Sequence, residues 1–348
     1  MSYKVGIICP SEIAFRRFLP SLKKVDGFEY CGVAVATPEE WAGKGKVTNE
    51  TFSAVEKERS KAQTFVDTYG GKIFEGYQNL IESPEIDVIY LPLPPALHFR
   101  WAKRALDAGK HAYVEKPFTT GLEDTRILLE IARKKNLAVH ENYMFVFHKQ
   151  LQAVNDIILS GEIGKVRQYR ISFGFPRRAA TDFRYNKALG GGALLDAGGY
   201  CMKYASWLLG ETAHLLCASA FYEPEWEVDI FGSATMVNDE GVICQLSFGM
   251  DCDYKCELEA WGSTGTLTTG RILTAPDGLE PDVVIKHNQK YETRKLPADN
   301  AFERSIRYFY RCLTDARIRE ENYGVVERQS AFVTAYDKLC KKNNGYDF

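Results

Sequence analysis

Lys116 and Tyr200 are the residues from which a chemistry can be argued first. Tyr113-Val114-Glu115-Lys116-Pro117 reads as the end of a strand, the place where an open α/β sheet presents its reactive side chains. Gly190-Gly191-Gly192-Ala193-Leu194-Leu195-Asp196-Ala197-Gly198-Gly199-Tyr200 reads as a flexible glycine run opening an apolar, helical stretch that continues through Trp207 and Leu209. Asp196 and Tyr200, four residues apart, then share one helix face. An ammonium beside a phenol favours the phenolate and draws its pKa below the reference of about 10. Reduction of a carbonyl needs such a proton donor. Taken singly, the two residues are equally well a surface lysine and a core tyrosine.

The elements that must position these groups fall into two halves. From Tyr3 to about His140, short apolar strands (Lys4 to Ile8, Tyr30 to Ala36, Val88 to Leu91, Ala112 to Val114, Ala138 to His140) alternate with helical stretches such as Phe99 to Ala108 and Leu122 to Lys135. That alternation marks βαβ units and a parallel, doubly wound sheet, an α/β fold. From Lys165 the runs alternate residue by residue instead: Val166 to Phe175, His214 to Tyr222, Ile230 to Val237, Val242 to Met250, Tyr254 to Trp261 and Val283 to His287. A large, mostly antiparallel sheet follows, in an α+β domain closed by helices over Phe302 to Thr314 and Val325 to Lys341. The expected domains are 1–143 and 144–348.

Composition narrows the partners. The 348 residues are 45% hydrophobic and 26% charged, and 44 Lys plus Arg nearly balance 46 Asp plus Glu. No strong field invites nucleic acid or an anionic membrane, which leaves small molecules. The first apolar run is too short for a secretory signal and no stretch reaches the length of a membrane span, so the expected location is the cytoplasm. Nine scattered cysteines include no C-x-x-C pair; Cys252 and Cys256 lack partnering histidines, so reduced thiols and no metal are expected.

The first strand-to-helix turn tests dinucleotide binding and departs from the usual pattern. Cys9, Ser11 and Ala14 stand where G-x-G-x-x-G places its glycines, which serve to let backbone amides approach a pyrophosphate. Ser11 remains small, with a hydroxyl able to bond a phosphate.

Together these segments resemble the Gfo/Idh/MocA dehydrogenases, the family of glucose-fructose oxidoreductase and inositol dehydrogenase. The resemblance is carried by Gly6-Ile7-Ile8 with Glu12-Ile13-Ala14, Pro92-Leu93-Pro94-Pro95-Ala96-Leu97-His98, Ala108-Gly109-Lys110-His111 leading to Glu115-Lys116-Pro117, Phe183-Arg184, and the glycine run with Asp196. It implies an N-terminal Rossmann domain, a C-terminal open-faced sheet, a nicotinamide held at their junction, and a cis Lys116-Pro117 peptide. It further implies cofactor contacts from Cys9, Ser11, Glu12, Ile13, Thr37, Leu93, Pro94, His98, Glu115 and Lys116, and catalysis by Lys116, Tyr200 and Asp196. Many members carry histidine where this chain has Tyr200, and often a further aspartate where it has Lys203; the tyrosine matches the glucose-fructose oxidoreductase and dihydrodiol dehydrogenase branch. Ile13 to Pro20 and Tyr90 to Pro94 look most like ketoreductases of nucleotide-linked hexoses. Free sugars, trans-dihydrodiols, a catalytically inactive nucleotide-binding regulator and an NAD-using glycoside hydrolase stand as alternatives.

Cofactor choice is read after the second strand, where an acid suits NAD and a base suits the 2′-phosphate of NADP. NADP users of the family often show Ser-Arg at Thr37 and Pro38, so the threonine fits and the arginine is missing. An insertion from about Trp41 to Arg59 carries Lys44, Lys46, Lys57 and Arg59, which serve either a phosphate or merely a solvated loop. The balance leans to NADP(H) over NAD(H). Arg177, Arg178 and Arg184 precede the glycine run and would hold a substrate diphosphate bidentately, or sit solvated. His98 either touches cofactor or caps the next helix, and His148 packs at the domain junction. Strands with apolar residues on both sides imply an uncovered face in the second domain, hence a homodimer or homotetramer.

Overall fold

The computed structural model describes residues 2–223 and 225–344, which divide into two compact units. In the first, β1 (Tyr3–Ile8) runs into a helical turn that ends as α1 (Leu19–Leu22). Then come β2 (Phe28–Val35), α2 (Pro38–Ala42), α3 (Asn49–Tyr69), β3 (Lys72–Glu75), α4 (Tyr77–Glu82), β4 (Val88–Leu91), α5 (Pro95–Asp107), β5 (His111–Glu115), α6 (Leu122–Lys135) and β6 (Val139–Asn142). The sheet order is β3-β2-β1-β4-β5-β6 with every pair parallel. The order reverses direction between β1 and β4, the point at which such sheets open a crevice beyond their strand ends. All four residues of β4 are buried, as a strand covered on both faces must be.

Helix α3 was not expected; half of the stretch read as an inserted loop, 41–59, belongs to it. Thr48 caps its start by accepting from the Thr51 amide, and Thr51, Val55, Glu58, Ala62 and Phe65 are its buried residues. The spacing is helical, but Thr51 and Glu58 are polar, so no apolar period announced it. The chain also returns late: 302–327 clusters with the first unit, where the Ser305 hydroxyl bonds those of Tyr113 and the side chain of Asn142, each at 2.8 Å.

The second unit continues with α7 (Lys149–Leu159), β7 (Val166–Gly174), α8 (Gly199–Leu209), β8 (His214–Tyr222), β9 (Asp229–Val237), β10 (Ile243–Gly249), β11 (Lys255–Gly262), β12 (Gly265–Gly270), β13 (Asp282–His287) and β14 (Lys290–Lys295), before α9 (Ala301–Thr314) and α10 (Ala316–Asn344). Its sheet runs β14-β13-β12-β11-β7-β10-β9-β8. All neighbours are antiparallel except β7 and β10. One face carries the core, with Tyr169, Ile171, Phe173, Leu246, Phe248 and Leu258 buried. The other face is less apolar than expected: Ser172, Ser247, Ser233 and Ser219 stand in register across four strands, and the exposed apolar residues Trp261, Ile243, Phe231 and Phe221 lie toward strand ends. Among the described residues, no helix is long and apolar enough to cross a membrane, and no cluster of metal-ligating side chains occurs. All nine cysteines are free thiols.

Candidate active site

Lys116 stands half-buried just beyond β5, and the peptide joining it to Pro117 is cis, as the resemblance implied. Three side chains hold this turn. Glu141 accepts from the Phe118 amide at 3.0 Å. Glu115 accepts from the Tyr90 hydroxyl and from Asn142 Nδ2, both at 2.7 Å, which ties the end of β5 to both neighbouring strands; burial pushes its pKa up while these donors pull it down. His98 places Nδ1 2.8 Å from the Pro117 carbonyl oxygen and Nε2 2.7 Å from that of Leu93. Its burial is complete and drives its pKa to about 4, against the pull of the two carbonyls. The neutral ring has a single N–H to donate. His98, which the resemblance sets among the cofactor contacts, uses both ring nitrogens to stitch the Leu93-Pro94 loop to the lysine's turn.

The dinucleotide turn lacks its glycines yet keeps their geometry. Cys9 adopts a left-handed φ of 72°, the conformation a first glycine would supply and one that few non-glycine residues take. The Ser11 amide donates to the Cys9 carbonyl at 2.9 Å, and its hydroxyl accepts from the Ala14 amide at 3.2 Å. Glu12 and Ile13 therefore open a helix whose first amides have no partner within it, a site for phosphate oxygens. The Glu12 side chain is exposed and pairs with Arg16 at 3.3 Å. At the end of β2, Thr37 caps α2 and borders a cavity of about 710 Å³ that Pro38, Phe52 and Lys57 also line. A helix N-terminus at the switch point and an open cavity at the end of β2 fit the two ends of a dinucleotide.

In the second unit the glycine run is a packed turn, not a flexible one. A Cβ on Gly191 would meet the Arg184 carbonyl, and Gly192 turns at φ 115° against the Asp229 carboxylate. Asp229 accepts from the Leu194 amide at 2.7 Å and so starts the helix; burial raises its pKa to about 7 although these amides oppose it. Residues Leu194–Gly198 then form a π-helix that merges into α8. Asp196, in this π-turn, accepts from Arg184 Nε at 2.6 Å, and Arg184 also reaches Asp182 at 3.1 Å. Burial works against the guanidinium's charge, but Asp196 and then Asp182 outweigh it and hold its pKa up. Arg184, expected at a substrate diphosphate, is committed to these carboxylates. Arg178 is exposed, 5.3 Å from the Phe175 ring centre.

Tyr200 begins α8 inside an aromatic cage, its ring 5.1 Å from Tyr143, 5.3 Å from Phe173 and 5.4 Å from Phe145. Gly198 and Gly199 permit this because a Cβ on either would meet the Phe248 ring or the Tyr143 hydroxyl. Lys203, one turn on, places its ammonium 5.7 Å from the Tyr143 ring centre. Sequence reasoning missed Asp182, Asp229, Glu141 and Tyr143. Glu141 and Asp229 act through backbone amides far along the chain and Asp182 through Arg184 two residues on, and only Tyr143, in an aromatic cluster before α7, left a trace in composition.

Comparison with known proteins places this geometry. Residues 30–143 match the model for an oxidoreductase family with an NAD-binding Rossmann fold, and 151–268 match the GFO/IDH/MocA C-terminal domain. The chain is 35% identical over 332 residues to dTDP-3,4-didehydro-2,6-dideoxy-alpha-D-glucose 3-reductase of Actinomadura kijaniata, covering 95% of this chain and 94% of that one. It is 34% identical over 308 residues to the enzyme of the same name from Saccharopolyspora spinosa, covering 88% and 86%. A crystal structure of KijD10, a 3-ketoreductase from Actinomadura kijaniata in complex with NADP and TDP-benzene, superposes with a TM-score of 0.88 at 34% identity over 98% of both chains. The two sheets, the cis turn carrying Lys116 and the glycine run before Tyr200 thus sit in a chain that belongs to the Gfo/Idh/MocA family of oxidoreductases.

Proposed function

We propose that the protein reduces the 3-keto group of a deoxyhexose carried on thymidine diphosphate, with NADPH as the cofactor. The observation that supports this most is likeness along the whole chain to a 3-ketoreductase solved with NADP and TDP-benzene. NADPH supplies the hydride. Tyr200 hands a proton to the developing alkoxide, and Lys116 lowers the tyrosine's pKa and bonds the same oxygen. Asp196, aimed by Arg184, orients the sugar hydroxyls, and the exposed Arg178 meets the diphosphate. Structures of KijD10 include a tyrosine-to-phenylalanine variant and a lysine-to-alanine variant, the same two residue types.

Tyr200→Phe is expected to keep cofactor affinity and lose roughly 10²- to 10⁴-fold in kcat. Lys116→Ala falls comparably, and the double variant is little worse than either single, because groups acting as one unit are not additive. Unchanged turnover in Tyr200→Phe, or additive losses, rejects the assignment.

The assembly is part of the same proposal: two copies join through the open face of the second unit's sheet. The in-register serines make that face flat. Arg170 lies there between Gln245 at 3.1 Å and Glu259 at 3.3 Å, with Trp261 and Ile243 nearby. A symmetric pairing sets such mixed charges against one another. Light scattering at micromolar concentration is expected to report a dimer or tetramer, and a stable monomer refutes it. The location proposed is the cytoplasm, where the thiols stay reduced.

A further inference from the structure

Neither usual reader of the adenosine ribose stands at the end of β2. An acid would select the 2′-hydroxyl of NAD and a base the 2′-phosphate of NADP, but the chain continues Thr37-Pro38-Glu39-Glu40. Glu40 is already in use. It accepts from the Thr37 amide at 2.9 Å and from the amides of Tyr77 and Gln78, both at 2.8 Å, which fastens α2 to α4. Glu58 is buried behind the strand end, accepting from the Ala36 amide at 2.7 Å and the Tyr77 hydroxyl at 2.5 Å.

The other wall of the cavity is α3. Phe52, Ser53, Glu56, Lys57, Arg59 and Ser60 line it, at the three- and four-residue steps that put side chains on one stretch of helix surface. Glu75 forms a two-pronged pair with the Arg59 guanidinium, and Glu56 approaches the same group at 3.7 Å. Two carboxylates thus share one arginine. Lys57 is the remaining cation on this wall, exposed and with no hydrogen bond or ion pair among the described residues. Phe52, 56% exposed, presents an aromatic ring at the same cavity.

We propose that α3, not the turn after β2, reads the cofactor's adenosine end: Lys57 binds the 2′-phosphate and selects NADP(H), while Phe52 stacks on the adenine. The proposal rests on the reading of the protein as an NADPH-dependent enzyme. Lys57 turns a wall that its carboxylates would make negative into one that accepts a phosphate, which a point charge on a flexible stem can do without a preformed fork. The missing loop arginine is thereby replaced from a different element.

Binding, not turnover, tests this. Calorimetric titration of the full chain with 2′,5′-ADP and 5′-AMP, and fluorescence titration with NADPH and NADH, give four affinities per variant. Lys57→Ala is expected to weaken 2′,5′-ADP and NADPH by about tenfold or more, as loss of one charge-assisted contact does, with 5′-AMP and NADH changed less than about twofold. Lys57→Arg restores the preference. Phe52→Ala weakens all four together by about three- to tenfold. A Lys57→Ala protein that keeps the wild-type ratio of 2′,5′-ADP to 5′-AMP affinity overturns the inference and leaves the NADPH reading intact. A wild-type protein with no preference for 2′,5′-ADP overturns both. Loss of the preference in Lys44→Ala, with Lys57→Ala unaffected, moves the cation to the 43–48 connection and likewise overturns it.

Discussion

Two glycine-dependent turns, one in each unit, have treated their glycines in opposite ways. The turn after β1 has cysteine, serine and alanine where a dinucleotide fold expects glycine, yet Cys9 holds φ 72°. The turn before α8 keeps Gly190, Gly191, Gly192, Gly198 and Gly199. What separates them is where a Cβ would go. At Cys9 the left-handed conformation costs about 1 kcal/mol, and the thiol interacts with the side chains of Glu58 and Tyr77. Around Gly191 a Cβ would collide with a main-chain carbonyl, which no rotamer change relieves. A glycine kept for its φ is replaceable, whereas one kept for contact is not.

The largest test of that difference is Gly191→Ala. It is expected to destabilise the second unit by more than about 3 kcal/mol in urea unfolding, since either the Arg184 carbonyl or the glycine run must move. Moving Arg184 would also release Asp196, so the surviving folded protein loses turnover. A loss under about 1 kcal/mol would mean the turn has slack that the close approach denies.

Asp229, the carboxylate that Gly192 faces, gives the next effect. Its folded pKa of about 7 lies above the ordinary carboxylate value because burial disfavours the charge. The folded state therefore binds the proton more tightly than the unfolded chain, and this group's contribution to stability falls as pH rises from about 4 to about 7. Asparagine keeps an acceptor for the Leu194 amide without titrating. Relative to wild type, Asp229→Asn is expected to gain on the order of 4 kcal/mol between about pH 4 and pH 8; a pH-independent difference would show that Asp229 stays charged.

Cys9→Gly is the smallest change. Relief of the left-handed strain is offset by the greater freedom of glycine in the unfolded chain and by lost thiol packing, so stability shifts by less than about 1 kcal/mol and cofactor affinity is kept. A loss above about 2 kcal/mol would make packing of the buried thiol, not conformation, what position 9 preserves.

These cases also mark what was legible in the residues. Val88 to Leu91 and Ile230 to Val237 declare themselves because burial on two faces, or on one, writes a continuous or an alternating run. Strands β12 and β14 do not: one is glycine and threonine, the other charged and exposed. Helix α3 was hidden by Thr51 and Glu58 on its buried side. Among the candidate residues, Lys116 and Tyr200 are legible through motif and spacing. For His98 the sequence leaves a cofactor contact and a structural role open, because it shows a histidine near the crevice but not that both ring nitrogens face carbonyls. Arg184 shows in the sequence as a cation with Asp182 two residues before it, but not as a fully paired one, because Asp196 reaches it only through the packed glycine turn.

The central claim is that the substrate is a ketone on a nucleotide-linked sugar. Its most direct test is steady-state oxidation of NADPH by the purified protein with a thymidine-diphosphate-linked 3-keto-deoxyhexose, beside the same keto sugar without the nucleotide. The account predicts that kcat/KM for the nucleotide-linked ketone exceeds that for the free sugar by at least about 10³-fold, because contacts remote from the reacting carbon are what raise it. Equal kcat/KM for the two, or turnover only with the free sugar, would contradict it.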